Sequence, residues 1–235
     1  MRIYLAYISI VLLWATTPLA IKWSDEGAGF LFAVTGRMAI GLVCIFLMLG
    51  LSIQRMIWHR KALQTYLAVS VQIYGSMLAV YWAAQFIPSG WISVIFGLLP
   101  LMTALLAAIW LGERSLVLGK LLAYILGISG LWALFGSAMQ LGHDAVLGIV
   151  GVLVSTFLQA ISTVWVKRID AKIPALSQVA GGLLLSLPVY LITWATFDGH
   201  WPSEISQIGV TYIIYLGAIA STFGFVEDLV QGLSS

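Results

Sequence analysis

The chain reads as an all-α polytopic membrane protein, and three observations predict it. Of 235 residues, 61% are hydrophobic and only 9% charged, where soluble domains carry about 25% charged residues. Mean hydropathy is +1.04. The apolar residues fall into eight runs separated by short polar loops, each near the ~20 residues a helix needs to cross hydrocarbon. A soluble core of this size would need a charged surface that these residues cannot supply, so lipid must be the solvent. A net charge of +2 leaves no footprint for nucleic acid.

The first run is Ile3–Ile21. Met1-Arg2 followed by apolar residues resembles a signal peptide, but the run continues to Ile21 without a convincing small-x-small site, which predicts an uncleaved first helix. The second, Gly29–Leu49, contains Arg37. A guanidinium in hydrocarbon costs at least ~2.5–3.5 kcal/mol on insertion scales. Arg37 lies roughly 11–12 Å along the helix from Gly29, at ~1.5 Å per residue, too deep for easy snorkelling. It is therefore expected to face the bundle interior or a water-filled path. The single cysteine, Cys44, lies in the same run and forms no intrachain disulfide.

The remaining runs are Tyr66–Ala84, Trp91–Leu111, Leu116–Phe135, Val146–Val166, Leu176–Thr196 and Ile208–Val226. Pro88 and Pro100 bracket the fourth. Pro100 removes an N–H and frees the carbonyl of Phe96, which predicts a kink. Such a kink serves either packing or the lining of a midplane site. Gly75-x-x-x-Ala79 and Ala220-x-x-x-Gly224 place small residues on one face, where helix backbones can approach closely.

The positive-inside rule orients the spans. With the N-terminus in the cytoplasm, Arg2, Arg55, Arg60, Lys61, Arg114, Lys120, Lys167, Arg168 and Lys172 all fall on or near the inner side. The outer loops then hold Asp25, Glu26, His143, Asp144, Asp198, His200 and Glu204, with only Lys22 beside them. Trp23, Trp58 and Trp201 fit an interfacial belt. Trp14, Trp82 and Trp165 lie deeper, either in helix packing or stacked on a substrate.

Polar side chains inside the spans are the candidates for chemistry. Gln72, Tyr74, Tyr81 and Trp82 lie on the third helix, Ser93 and Thr103 on the fourth, and Ser155, Gln159, Ser162 and Thr163 on the sixth. Each could hydrogen-bond a zwitterionic substrate or simply bridge two helices. Together with Arg37 they are expected to form a polar cavity, with Trp14, Tyr81 and Gln159 foremost and Trp82 and Ser162 beside them. Glu113, at the cytoplasmic end of the fourth helix, reads as an ion-pair or capping residue or as a coupling group. No Asp or Glu lies in mid-helix, and His59, His143 and His200 are all in loops, so a proton relay lacks visible parts. The same absence counts against a membrane-embedded enzyme, which needs a nucleophile and base, or paired carboxylates, at membrane depth. No metal-ligand spacing occurs and no cofactor is expected.

An internal repeat is visible. Leu13-Trp-Ala-Thr-Thr-Pro-Leu-Ala-Ile-Lys22 lies over Leu158-Gln-Ala-Ile-Ser-Thr-Val-Trp-Val-Lys167 without a gap. Lys22 falls on the outer side and Lys167 on the inner, so the copies are inverted, an arrangement typical of secondary transporters. The first unit covers 1–138 with five helices. The second covers 146–226 with three, followed by a short polar end, 227–235. Two full copies would make ten helices, so the chain is expected to be a truncated form of a five-plus-five inverted repeat.

Further residues carry a family resemblance. They are Leu13-Trp14-Ala15 with Ala20-Ile21-Lys22, Gly36-Arg37, the run Ala83-Ala-Gln-Phe-Ile-Pro-Ser-Gly-Trp-Ile-Ser-Val-Ile-Phe-Gly-Leu-Leu-Pro100, and Trp110-Leu-Gly112-Glu113-Arg114. At these positions the chain resembles the drug/metabolite transporter superfamily, in particular its EamA-type permeases. The resemblance implies a ten-helix fold of two inverted five-helix repeats with both termini cytoplasmic. It also implies movement of small, often amino-acid-like metabolites, commonly as export, from a cell membrane and most simply a bacterial inner membrane. The expected partners are a small-molecule substrate and the bilayer. The alternative expectation is a permease inactive alone, or one that needs a partner such as a second copy docked through the open second repeat.

Overall fold

The computed structural model describes residues 15–52, 55–112, 143–202 and 206–232 and parts of 119–136; for 143 and 220–232 it describes the backbone alone. Helix α1 is described over 15–24, α2 is Phe30–Leu51, α3 Arg60–Ala84, α4 Ser89–Leu111, α6 His143–Ile169, α7 Ala175–Phe197 and α8 Gln207–Gly232. The described positions within 119–136 belong to α5 and are helical. Every regular element among the described residues is thus a helix. Five of them, α2, α3, α4, α6 and α7, are long and apolar enough to cross a membrane.

Boundaries follow local chemistry. Gly29, at φ 76° and ψ 141°, takes the positive-φ backbone that precedes α2. Helix α3 begins six residues ahead of the expected apolar run because His59 caps it, its Nδ1 accepting from the Ala62 N–H at 3.0 Å. Asp144 in the first turn of α6 and Lys167 and Arg168 in its last turn suit the helix dipole.

Three spans are irregular at depth. Helix α3 passes through a π segment, Val71–Ser76. Helix α4 breaks between Phe96 and Leu99, with Pro100 in the first turn of its second piece. This is the kink expected from Pro100, whose missing N–H leaves Phe96 as the last residue of the first piece. Helix α7 carries Pro188 in its interior, which deprives the Leu184 carbonyl of its helical donor.

Helix α2 packs most extensively on α8 and α7, α3 on α7 and α6, and α4 on α6. Val34, Ile45, Tyr81, Ile87, Ile149, Leu176 and Tyr190 are fully enclosed between them. Glycine permits the closest approaches. A Cβ at Gly181 of α7 would lie 2.3 Å from the Tyr66 ring of α3, and one at Gly148 of α6 would lie 2.6 Å from Ile87. At Gly75, one of the expected small-residue positions, it would meet Leu158 of α6 at 3.2 Å. Of the other expected face, the side chains of Ala220 and Gly224 lie outside the described residues.

Candidate functional site

A cleft of about 110 Å³ opens between four helices. Arg37, Met38 and Gly41 come from α2, Gln72, Ile73 and Met77 from α3, Val179 and Leu183 from α7, and Leu216 and Gly217 from α8. Arg37 is only 6% exposed. Helix α8 passes so close that a Cβ at Gly217 would lie 3.0 Å from the Arg37 carbonyl oxygen. A larger residue there would push α8 off α2 and open the wall.

The Arg37 guanidinium donates from Nη1 to the Tyr81 hydroxyl at 3.4 Å, and its carbon lies 5.9 Å from that ring's centroid. Tyr81 is 1% exposed. This long neutral contact is weak compensation for a buried charge with five N–H donors. No carboxylate among the described residues pairs with Arg37. The reason lies in the sequence, since none of the nine acidic residues falls within an apolar run.

The π segment shapes the opposite wall. A π turn misaligns the regular i→i−4 ladder and leaves carbonyls in need of donors. Tyr190 of α7, fully buried, supplies one. Its hydroxyl lies 2.7 Å from the Ile73 carbonyl oxygen and 3.1 Å from that of Tyr74, and donates to this pair. The Tyr74 and Tyr190 rings meet edge to face at 4.9 Å, and the Tyr74 hydroxyl bonds Thr193 at 2.8 Å. Gln72 and Ile73 are thereby held at the cleft.

The other expected residues divide. Arg37 and Tyr81 come together. Gln159 and Ser162 instead join the α3–α6 seam. Gln159 Nε2 donates to Ser76 Oγ at 3.1 Å, Ser155 Oγ donates to the Ser76 carbonyl at 2.9 Å, and Ser162 Oγ donates to the Ala68 carbonyl at 2.8 Å. Gln72 links this seam to the cleft, its Oε1 lying 3.5 Å from Ser162 Oγ. Gln159 Oε1 is buried without a partner. Trp82 stacks edge to face on Phe86 at 5.0 Å and is 36% exposed, away from the cleft lining.

The motif residues do structural work where they are described. Lys22 Nζ donates to the Ile87 carbonyl at 3.0 Å, tying the end of α1 to the turn before α4. Pro88 is the N-cap of α4, and Gly112, at φ 67°, ends it in the left-handed conformation. Lys167 sits in the last turn of α6. Trp14 and Glu113 lie outside the described residues. Nothing in the sequence reading singled out Tyr190, Pro188 or Leu183. Pro188 was the available signal, because a proline inside an apolar run marks an interrupted span.

Outside the spans, burial pushes the Asp25 carboxyl above the usual carboxylate range. Among the described residues no group of His, Cys, Asp or Glu is placed to hold a metal ion.

Interrupted helices around a polar cleft recur in small-molecule membrane carriers. Comparison with known proteins agrees. The model of the EamA-like transporter family matches residues 1–136, and the chain belongs to that family. Bacillus subtilis uncharacterized transporter YoaV is 25% identical over 227 residues, spanning 96% of this chain and 77% of its own. A probable terminal-alkyne amino-acid exporter of Streptantibioticus cattleyicolor is 23% identical over 234 residues, spanning 94% and 73%. A crystal structure 19% identical to this chain shares its fold at a TM-score of 0.64, covering 97% of this chain and 80% of its own. The protein is a multi-pass membrane protein of a transporter family.

Proposed function

We propose that this chain carries small carboxylate-bearing metabolites, amino-acid-like or related solutes, outward by alternating access, with Arg37 as the anion anchor. The observation that carries the reading is a guanidinium 6% exposed, lining a cleft within an apolar span, with no acidic partner among the described residues. A buried charge of this kind is tolerated where a ligand or water completes it. The name of the Streptantibioticus relative, a probable amino-acid exporter, supports the substrate class and the direction.

The packing supports the inverted-repeat reading, with units 1–138 and 146–226. Shifting by five helices exchanges the pair α2–α8 with the pair α7–α3, and both pairs are among the most extensive contacts. Alternating access is then a rocking of one unit against the other about the cleft. The Lys and Arg bias supports a cytoplasmic N-terminus, 55–61 loop and C-terminus, and the bacterial relatives support an inner membrane as the location.

The test is efflux of labelled amino and organic acids from liposomes holding the purified protein. Arg37→Lys keeps the charge but loses the planar fork and is expected to cut flux about tenfold or more, at 1.4 kcal/mol per decade, while insertion is retained. Unchanged flux in a folded Arg37→Leu variant refutes the reading.

A further inference from the structure

We infer that the cleft recognises its ligand as a carboxylate on an apolar tail and does not read an α-ammonium group, so that monoanionic acids bind better than the zwitterionic amino acids of the same length. This rests on the reading of the Arg37 cleft as the substrate site.

The charge inventory carries the argument. A zwitterion brings two opposite charges, and both must be compensated once the cleft closes around it, because an unpaired buried charge is strongly destabilising. Arg37 provides for the carboxylate, with donors to spare beyond its 3.4 Å contact with Tyr81. For the ammonium, no carboxylate among the described residues lines the cleft. The acids of this chain stand at 25, 26, 113, 144, 170, 198, 204, 227 and 228, and none lies within an apolar run. The nearest along a lining helix is Glu227, ten residues beyond Gly217, or roughly 15 Å at ~1.5 Å per residue. Neutral acceptors in the lining are few. The carbonyls of Ile73 and Tyr74 already take the Tyr190 hydroxyl. Gln72 Oε1, 3.5 Å from a Ser162 hydroxyl that donates to the Ala68 carbonyl at 2.8 Å, is the one side-chain acceptor of the lining and carries no charge to match an ammonium. The rest of the lining, with Met38, Met77, Leu183 and Leu216 prominent, is apolar. This suits an alkyl tail, and methionine side chains adapt to tails of varied shape. The volume of about 110 Å³, some four waters at ~30 Å³ each, fits a small organic acid and not a peptide.

The experiment follows intrinsic tryptophan fluorescence and the unfolding midpoint of the purified protein in detergent, titrated with hexanoate, L-norleucine and hexylammonium. These probes share a chain length and differ in charge. Hexanoate is expected to bind about tenfold or more tightly than norleucine, and hexylammonium not at all. Gln72→Glu supplies the missing anion beside Arg37. It is expected to move the norleucine-to-hexanoate affinity ratio about tenfold or more towards norleucine, a gain that a misfolded variant cannot mimic. Equal or tighter norleucine binding that Arg37→Gln abolishes overturns the inference while leaving the carboxylate site standing. So does an unmoved ratio in folded Gln72→Glu. Absence of binding by every probe, or hexanoate binding unaffected in folded Arg37→Gln, overturns the site reading and the inference together.

Discussion

Replacing Gly181 by alanine should destabilise the bundle, although alanine is the better helix former. The new Cβ would lie 2.3 Å from Cγ and Cδ1 of Tyr66 and 2.6 Å from Cδ2. Carbon atoms settle at about 3.5–4.0 Å, so ring or helix must retreat by more than about 1 Å. The ring has little freedom to do so. Tyr66 is 1% exposed, its hydroxyl donates to the Ile57 carbonyl at 2.8 Å, and Trp58 packs against it edge to face at 6.1 Å. Overpacking of this kind costs about 1–3 kcal/mol, against about 1 kcal/mol gained from helix propensity. The net expectation is a loss of up to about 2 kcal/mol. The assay is reversible unfolding in mixed micelles, with Gly50→Ala as control. Gly50 is helical, and nothing lies within 4 Å of its added Cβ, so that variant should be neutral or stabilised by up to about 1 kcal/mol. Tyr66→Leu should rescue Gly181→Ala, giving a coupling of about 0.5 kcal/mol or more in the double-mutant cycle. A Gly181→Ala protein as stable as Gly50→Ala, or an additive cycle, refutes the reasoning. The α3–α7 seam supplies two walls of the cleft, so flux should fall with stability.

Tyr190→Phe removes the hydroxyl that serves the Ile73 and Tyr74 carbonyls. The same unfolding assay should show a loss of about 1–2 kcal/mol, with faster amide exchange across Val71–Ser76 than elsewhere in α3. Asp25 has a folded pKa raised by burial from 3.8. Its charged form is therefore penalised in the native state, and stability from this group is lost as pH rises from the unfolded value through the folded one. Asp25→Asn should remove that slope and raise the unfolding midpoint at neutral pH. Orientation is checked by cysteine labelling in a Cys44→Ser background. Ser24 is fully buried and bonded to the Ile21 carbonyl at 2.7 Å, so the exposed Glu26, Asp144 and His200 are the better outer positions, with Lys61 and Lys172 inside. An impermeant reagent should label the first three alone in intact cells, and the reverse pattern would invert the topology.

The sequence alone determined the solvent, the apolar runs that became the five membrane-length helices and the burial of Arg37. Lipid forces each crossing segment to satisfy its backbone internally, so each span must appear as a continuous apolar run, and a run is a local property. The interruption of α4 was equally local, because Pro100 cannot donate whatever surrounds it. What faces what was decided only by the tertiary structure. In a soluble helix the polar stripe marks the outside, but here lipid-facing and core-facing surfaces are alike in polarity. α2 shows this, with Val34 and Ile45 enclosed while Val43 and Leu47 are exposed. Hydropathy therefore could not tell that Arg37 turns to Tyr81 and the cleft, or that Gln159 and Ser162 turn to the α3–α6 seam. Nor could it announce the π segment at Val71–Ser76. That segment is held by Tyr190, 117 residues from the Ile73 carbonyl it serves, and such a partner exists only once α3 and α7 have been brought together at close range by Gly181 and Gly182.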